Sequence, residues 1–277
     1  MNRLLSQTLL LGLIAGMAAS LILFWAHPAR EALMAGAAIV LIALSLVLER
    51  VFPHDPTWAD IPREEVAGDI GSFVLIFGIL DGVLKWLTPF ALFAVVPLQA
   101  KLNLPLWQQT LLVFLWIEFA AWASHWAHHR YKPLWALHAM HHSTERLYTL
   151  NNFRFHPFNH VLNHLAMILP LLWIGVAVEA ILVYTALTLP VLLFQHSNIA
   201  FDFGRLNMVL NTNDLHRWHH SAKPSEGMMN LGRALVLWDQ VFGTYLRPSS
   251  SSSPSRIGLF SVSRNFPPAS KFLAQLA

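Results

Sequence analysis

Apolar residues run along the chain in long blocks separated by short polar breaks. Residues 4–25 contain no charged side chain and are long enough to cross a bilayer as a helix. The block is too long for the apolar part of a cleaved signal peptide, and a second block, 32–49, follows at once, so both are expected as retained spans. The stretch 50–69, rich in Pro, Asp and Glu, reads as a connector at the membrane surface. Residues 70–99 are apolar again but carry Asp81 and Lys85, an i, i+4 pair placed to meet on one helix face. A charge pair is costly at mid-span, so the pattern predicts a span over 69–88 and an interfacial or re-entrant segment up to 99. The next span is 106–127, with Glu118 inside it. The apolar stretch 161–195 is interrupted by Pro170, Gly175 and Pro190. As one helix it would be about 50 Å long, so it is expected as a helical hairpin that dips into the membrane and returns.

The basic residues sort by loop. Arg30 and Lys101 fall on one side, whereas Arg3, Arg50, Arg63, Arg130, Lys132, Arg146, Arg154, Arg205 and Arg217 fall on the other. The positive-inside rule then puts the N-terminus, residues 128–160 and everything after 196 on the cytoplasmic side. The predicted fold is all-α: a membrane bundle of about four spans plus a dipping hairpin, with a cytosolic helical cap rich in histidine. It divides into an N-terminal transmembrane region, 1–105, a catalytic region, 106–247, and a C-terminal part, 248–277, that opens with the flexible linker "PSSSSSPS".

Composition agrees with a membrane protein. Of 277 residues 55% are hydrophobic and only 12% charged, where soluble domains sit near about a quarter charged. The net charge of +3 comes from scattered residues with no basic run, so no nucleic-acid partner is expected. Cysteine is absent, which excludes disulfides, iron–sulfur clusters and thiolate haem ligation, and removes the usual ligands of structural zinc.

Fifteen histidines stand out in this chain. His125 and His129 lie at i, i+4 near the cytoplasmic end of a span, on one helix face. "LHAMHHS" supplies His138, His141 and His142; "LHRWHH" repeats the spacing with His216, His219 and His220; and His196 sits in "FQHSN" between them. All reach the same membrane side. Four to five ligands saturate one ion, so nine imidazoles imply two metals. All-nitrogen ligation suits zinc, iron, copper or nickel. Haem needs only one or two axial histidines. Two irons side by side match an enzyme that attacks an unactivated lipid C–H bond with O₂. Other classes fit the same residues: a divalent-metal transporter or sensor, or a di-zinc membrane hydrolase. A transporter would place its ligands near mid-membrane. A hydrolase would want carboxylates beside the boxes, where only Asp214 and Glu145 are near.

The segments "SHWAHHRYKPLWALHAMHHS", "RFHP", "FQHSNI", "LHRWHHS" and "LWDQVFGTY" resemble the fatty acid hydroxylase/sterol desaturase superfamily over about 110–247. The resemblance implies an integral membrane, non-haem di-iron oxygenase that hydroxylates or desaturates a C–H bond of a lipid, a sterol, fatty acyl chain or related molecule. It would use O₂ and a separate electron-transfer protein, cytochrome b5-like or a ferredoxin with its reductase. His125 and His129 match the first box; His138, His141 and His142 the second; His196 the isolated ligand; and His216, His219 and His220 the last. Two departures are visible. His128 is an extra histidine, turned about 100° from His129. Some members carry a further histidine where this chain has Leu192, and His156 in "RFHP", at a helix edge opened by Pro157, is the candidate substitute. His160 and His164 continue from it in steps of four. Asp214 could orient an imidazole from behind or cap the helix of the last box. Asp239 is expected to be structural. Glu118 is a buried-charge candidate. The leucines and aromatics of 161–195 could line a lipid channel.

Overall fold

The computed structural model of the chain describes residues 1–95, 102–247, 253–263 and 265–277. Four helices are long and apolar enough to cross a membrane. They are α1 (Arg3–Leu23), α2 (Arg30–Val51), a composite third span over Arg63–Thr88, and α5 (Leu106–Arg130). The third span joins α3 (Arg63–Phe73) through a π-helical stretch, Val74–Leu80, to α4 (Asp81–Val95). It begins six residues before the expected span, because Pro62 opens it and Glu64 and Glu65 occupy its first turn, where acidic side chains favour the helix dipole. Polar residues that read as connector are thus helix start. The helix also continues past 88, and the remainder of the expected interfacial segment, 96–99, lies outside the described residues. Asp81 departs from its expected pairing: its Oδ1 lies 2.6 Å from His160 Nε2, so the contact is with a distant part of the chain rather than with Lys85.

The hairpin is α7 (Pro157–Trp173) and α8 (Val178–Phe194). Only Gly175, with φ 76°, breaks the apolar stretch; Pro170 and Pro190 sit inside the two helices. Membrane helices tolerate such prolines because neighbouring helices and local adjustments satisfy the freed backbone groups. The hairpin tip reaches the far end of the bundle. Leu102 N donates to Gly175 O there, and Arg30 pairs with Glu179 at 2.7 Å. α8 packs against α1, α2 and α5. The main apolar core forms where Leu10, Met17 and Leu21 of α1 meet Ala186, Val191 and Phe194 of α8. The outer faces keep large apolar residues exposed, such as Leu4, Ile39, Val40 and Ile79, as lipid-facing surfaces do. Trp86, Trp107 and Trp173 are also exposed, near helix ends, where tryptophan favours a membrane interface.

At the other end, short helices close over the bundle: α6 (Lys132–His138), α9 (Asn213–His219), α10 (Pro224–Gly227) and α11 (Leu237–Phe242). Among the described residues there is no strand, only isolated bridges such as Pro53 with Ile199 and Ser221 with Ile257. The C-terminal tail is more than an appendage. Ala222 N donates to Arg256 O, and Gly258 N donates to His220 O. Phe260 stacks on Trp135 with centroids 4.9 Å apart.

Candidate metal centre

The end of α5 delivers His125 and His129 one turn apart. Pro133 in the first turn of α6 restarts the chain after Arg130, and α6 ends on His138, so the next helical turn carries His141 and His142. Gln195 and His196 follow α8 directly, and α9 carries His216 and His219 with His220 as its C-terminal cap. These elements converge into two groups whose nitrogens could each hold a metal ion. One is His125, His129, His138, His142 and His219; the other is His141, His196, His216 and His220. Within each group the ligand atoms lie within 4.8 Å of one another. The first box stays together, but the second divides: His138 and His142 at i, i+4 face the first cage, while His141 between them faces the second. The last box splits the same way, with His219 in the first cage and His216 and His220 in the second. The cages touch where the rings of His142 and His220 stack at 4.2 Å.

The donor set fits metal ions. His142 Nε2 lies 3.1 Å from His219 Nε2, His196 Nε2 lies 3.1 Å from His216 Nε2, and His220 Nε2 lies 3.2 Å from His216 Nε2. Two nitrogens about 2.0–2.1 Å from one ion stand roughly 2.9–3.4 Å apart at angles of about 90–110°, so these spacings suit neighbouring ligands. His125 Nε2, His138 Nε2 and both nitrogens of His129 are buried with no hydrogen-bond partner, an arrangement that is costly unless something else satisfies them.

The opposite ring nitrogens are pinned. His125 Nδ1 donates to Leu231 O at 2.8 Å, His138 Nδ1 to Asn159 Oδ1 at 2.9 Å and His141 Nδ1 to Arg154 O at 3.2 Å. His196 Nδ1 donates to Asn151 Oδ1 at 2.8 Å and His219 Nδ1 to Met229 O at 3.0 Å. A proton held on Nδ1 leaves the Nε2 lone pair free to bind metal. Burial, reinforced by neighbouring imidazoles, pushes His138, His142, His196, His216, His219 and His220 well below their ordinary value. Burial pushes His141 down to about 3. All are therefore neutral at physiological pH, the state a ligand needs.

The other singled-out residues lie elsewhere. His156 caps α7, its Nδ1 accepting from Phe158 N at 3.2 Å, and it joins neither cage. His160 pairs with Asp81, and His164 Nε2 lies 3.1 Å from Thr88 Oγ1. Asp214 faces away from the imidazoles and neither orients one nor caps α9, whose N-cap is Thr212. Its Oδ2 accepts from Phe203 N at 3.3 Å and Asn207 Nδ2 at 3.2 Å. His128 is buried but outside both cages. Glu118 accepts from Tyr184 Oη, Ala234 N and Leu235 N, joining α5 to α8 and the loop before α11. Asp239 accepts from Leu231 N and Gly232 N, both at 2.8 Å, which fixes the loop whose Leu231 carbonyl holds His125. A Cβ on Gly232 would come within 2.2 Å of Leu235 O, so this loop needs glycine.

The partners Asn151, Asn159 and Arg154 carry no spacing signal in the sequence. Their only hint is polarity inside an apolar chain. Arg154 is fully buried. Its Nε donates to Asp69 Oδ1 at 2.6 Å, while its terminal nitrogens reach Glu65 O, Ala269 O and Gln275 Oε1. Tyr148 Oη also donates to Asp69.

A cavity of about 260 Å³ opens beside the cages. His125, His128, His138, His141 and His216 form its histidine side, and Phe77, Met167, Leu189, Leu192 and Leu193 its apolar side. Such a wall pattern, largely apolar with a few convergent polar groups, is typical of a small-ligand site.

The comparisons with known proteins agree with this site. The fatty acid hydroxylase family model matches residues 110–244. The chain is 31% identical over 245 residues to ornithine lipid hydroxylase OlsE of Rhizobium tropici, covering 85% of this chain and 72% of that protein. It is 39% identical over 57 residues to alkylglycerol monooxygenase of Danio rerio, covering 20% of this chain and 13% of that one. No solved structure matches. With a family match centred on the caged histidines and a likeness to one hydroxylase along most of its length, the chain belongs to the fatty acid hydroxylase family, as a multi-pass membrane protein and lipid-modifying oxygenase.

Proposed function

We propose that the two cages hold a pair of iron ions and that the protein hydroxylates a C–H bond of a membrane lipid. The observation that carries this reading is the pair of adjoining all-imidazole cages opening onto an apolar cavity. His125, His129, His138, His142 and His219 would hold one ion, and His141, His196, His216 and His220 the other. The iron pair supplies the O₂ activation that an unactivated alkyl C–H demands. The balance is R–H plus O₂, two electrons and two protons, giving R–OH and water. Insertion of oxygen is preferred to desaturation because the similar proteins are named as a hydroxylase and a monooxygenase.

The chain's own residues bind and orient. The pinned Nδ1 groups hold the imidazole planes, and Phe77, Leu189 and Leu192 hold an aliphatic chain and exclude water. The electrons come from a separate protein, cytochrome b5-like or a ferredoxin with its reductase, docking on the cap from the cytoplasmic side, a placement that the excess of Arg and Lys at that end supports. A di-zinc hydrolase is disfavoured because, among the described residues, no carboxylate lines the cavity to act as base. A transporter is disfavoured because the cages are enclosed at helix ends rather than strung along a pathway.

The test is metal analysis of anaerobically purified protein with Mössbauer spectroscopy and O₂ uptake on reduction in membrane lipid. About two irons per chain, reduction-dependent O₂ uptake and a lipid product heavier by one oxygen are expected. Active protein that holds two zincs and consumes no O₂ overturns the reading.

A further inference from the structure

One wall of the cavity is polar without being part of either cage. His128 Nδ1 lies 2.7 Å from the Ser124 carbonyl oxygen. A carbonyl only accepts, so Nδ1 carries a proton, and in the neutral ring Nε2 is then a bare acceptor. That Nε2 is buried and has no hydrogen-bond partner among the described residues. In the same cavity lining, Asn159 must present Oδ1 to His138 Nδ1, which leaves its amide nitrogen as a donor. That nitrogen is also buried and unpartnered. His128 is 2% exposed and Asn159 1%, and both line the cavity. They are close through His138, whose ring lies 5.6 Å from that of His128. Ser124 also links the two helices, its Oγ donating to Asn163 Oδ1 at 2.7 Å. The niche thus offers one acceptor and one donor, both uncharged, beside a cage histidine.

The geometry points to His128 and Asn159 as a substrate-positioning niche for an uncharged group that both donates and accepts a hydrogen bond, a hydroxyl or a secondary amide of the lipid. The group's N–H or O–H would donate to His128 Nε2 and its oxygen accept from Asn159 Nδ2. A purely aliphatic segment would leave both buried groups unpaired, which is how such a site rejects it. A carboxylate or phosphate would find no donor at His128. This inference rests on the lipid-oxygenase reading, but its test needs neither iron nor turnover.

The test is equilibrium binding to the full-length protein in nanodiscs, with tritiated N-methyldodecanamide as the tracer. Competitors are dodecan-1-ol, which donates and accepts, and methyl dodecanoate, which only accepts. Wild type is expected to prefer the amide or the alcohol over the ester by about three- to tenfold, the size of one net hydrogen bond. Which of the two competes better identifies the group. His128→Phe removes the acceptor and is expected to abolish that preference while leaving ester affinity and bound-metal content unchanged. His128→Gln keeps an acceptor and is expected to restore it. If His128→Phe does not fold, His128→Leu serves in its place. An ester that competes as well as the amide and the alcohol in wild type overturns the proposal without any variant. So does a preference that survives both His128→Phe and His128→Leu. Loss of affinity for all three lipids alike marks His128 as merely structural and also overturns it. Failure to find iron sinks the di-iron reading and leaves these binding outcomes untouched.

Discussion

Asn159 holds His138 through a single side-chain hydrogen bond, so it isolates what the shell behind the ligands contributes. Replacing it with Leu keeps the size and removes the acceptor. Metal affinity is expected to fall about 10–100-fold, read by competition with a chromogenic chelator; unchanged retention would show that packing alone orients His138. His219 is a direct test of the first cage. It is fully buried, its Nδ1 is fixed by the Met229 carbonyl and its Nε2 faces His142. His219→Ala is expected to lower bound metal from about two ions to about one per chain, measured by elemental analysis. At this scale the boxes were legible in the sequence, because imidazole is rare and its spacing maps onto helix turns. The partition of ligands was not. His138, His141 and His142 look like one cluster, yet their side chains diverge by about 100° per residue, and only the position of the last box decides which cage each faces. Asn151 and Asn159 were illegible for another reason: each acts across a fold contact, 45 and 21 residues from its histidine.

The elements that close the cap depend on one another. Arg154 ties α3, the loop before α7 and the C-terminal tail together, and its carbonyl holds His141. Removing its guanidinium leaves Asp69 buried without its ion-pair partner. Arg154→Met is therefore expected to cost about 3–5 kcal/mol, seen as a lower midpoint of thermal unfolding in detergent. Arg154→Met combined with Asp69→Asn is expected to recover part of the loss. The tail itself covers the cages from outside: Phe260 lies 6.1 Å from the His129 ring, and Gly258 bonds to His220. A chain ending at Arg247 is expected to lose metal to EDTA faster than the full chain, followed as a time course. Equal rates would mean that the tail shields nothing. The long helices were legible because an apolar block of some twenty residues has few other solutions in a bilayer. The tail was not, since its buried anchors, Ile257, Phe260, Ala269 and Gln275, follow no helical or strand period. The start of α3 was misjudged for a related reason: acidic residues at a helix N-terminus look like loop when only polarity is read.

Across the whole molecule, the cages, the cavity mouth and the tail sit at one end, and the α1–α2 turn and the hairpin tip at the other. The fold alone does not say which end faces the cytoplasm; we propose that it is the end with the cages, on the strength of nine basic residues on that side against Arg30 and Lys101 on the other. The absence of cysteine makes this directly measurable, because any introduced thiol is the sole reactive one. Ala26, exposed in the α1–α2 turn, and Lys223, exposed just after the last histidine box, mark the two ends. Ala26→Cys is expected to react with a membrane-impermeant maleimide on intact cells, whereas Lys223→Cys reacts only after permeabilisation. The opposite pattern would place the cages outside, out of reach of cytoplasmic electron donors, and the proposed source of electrons would have to be abandoned even if the iron pair were found.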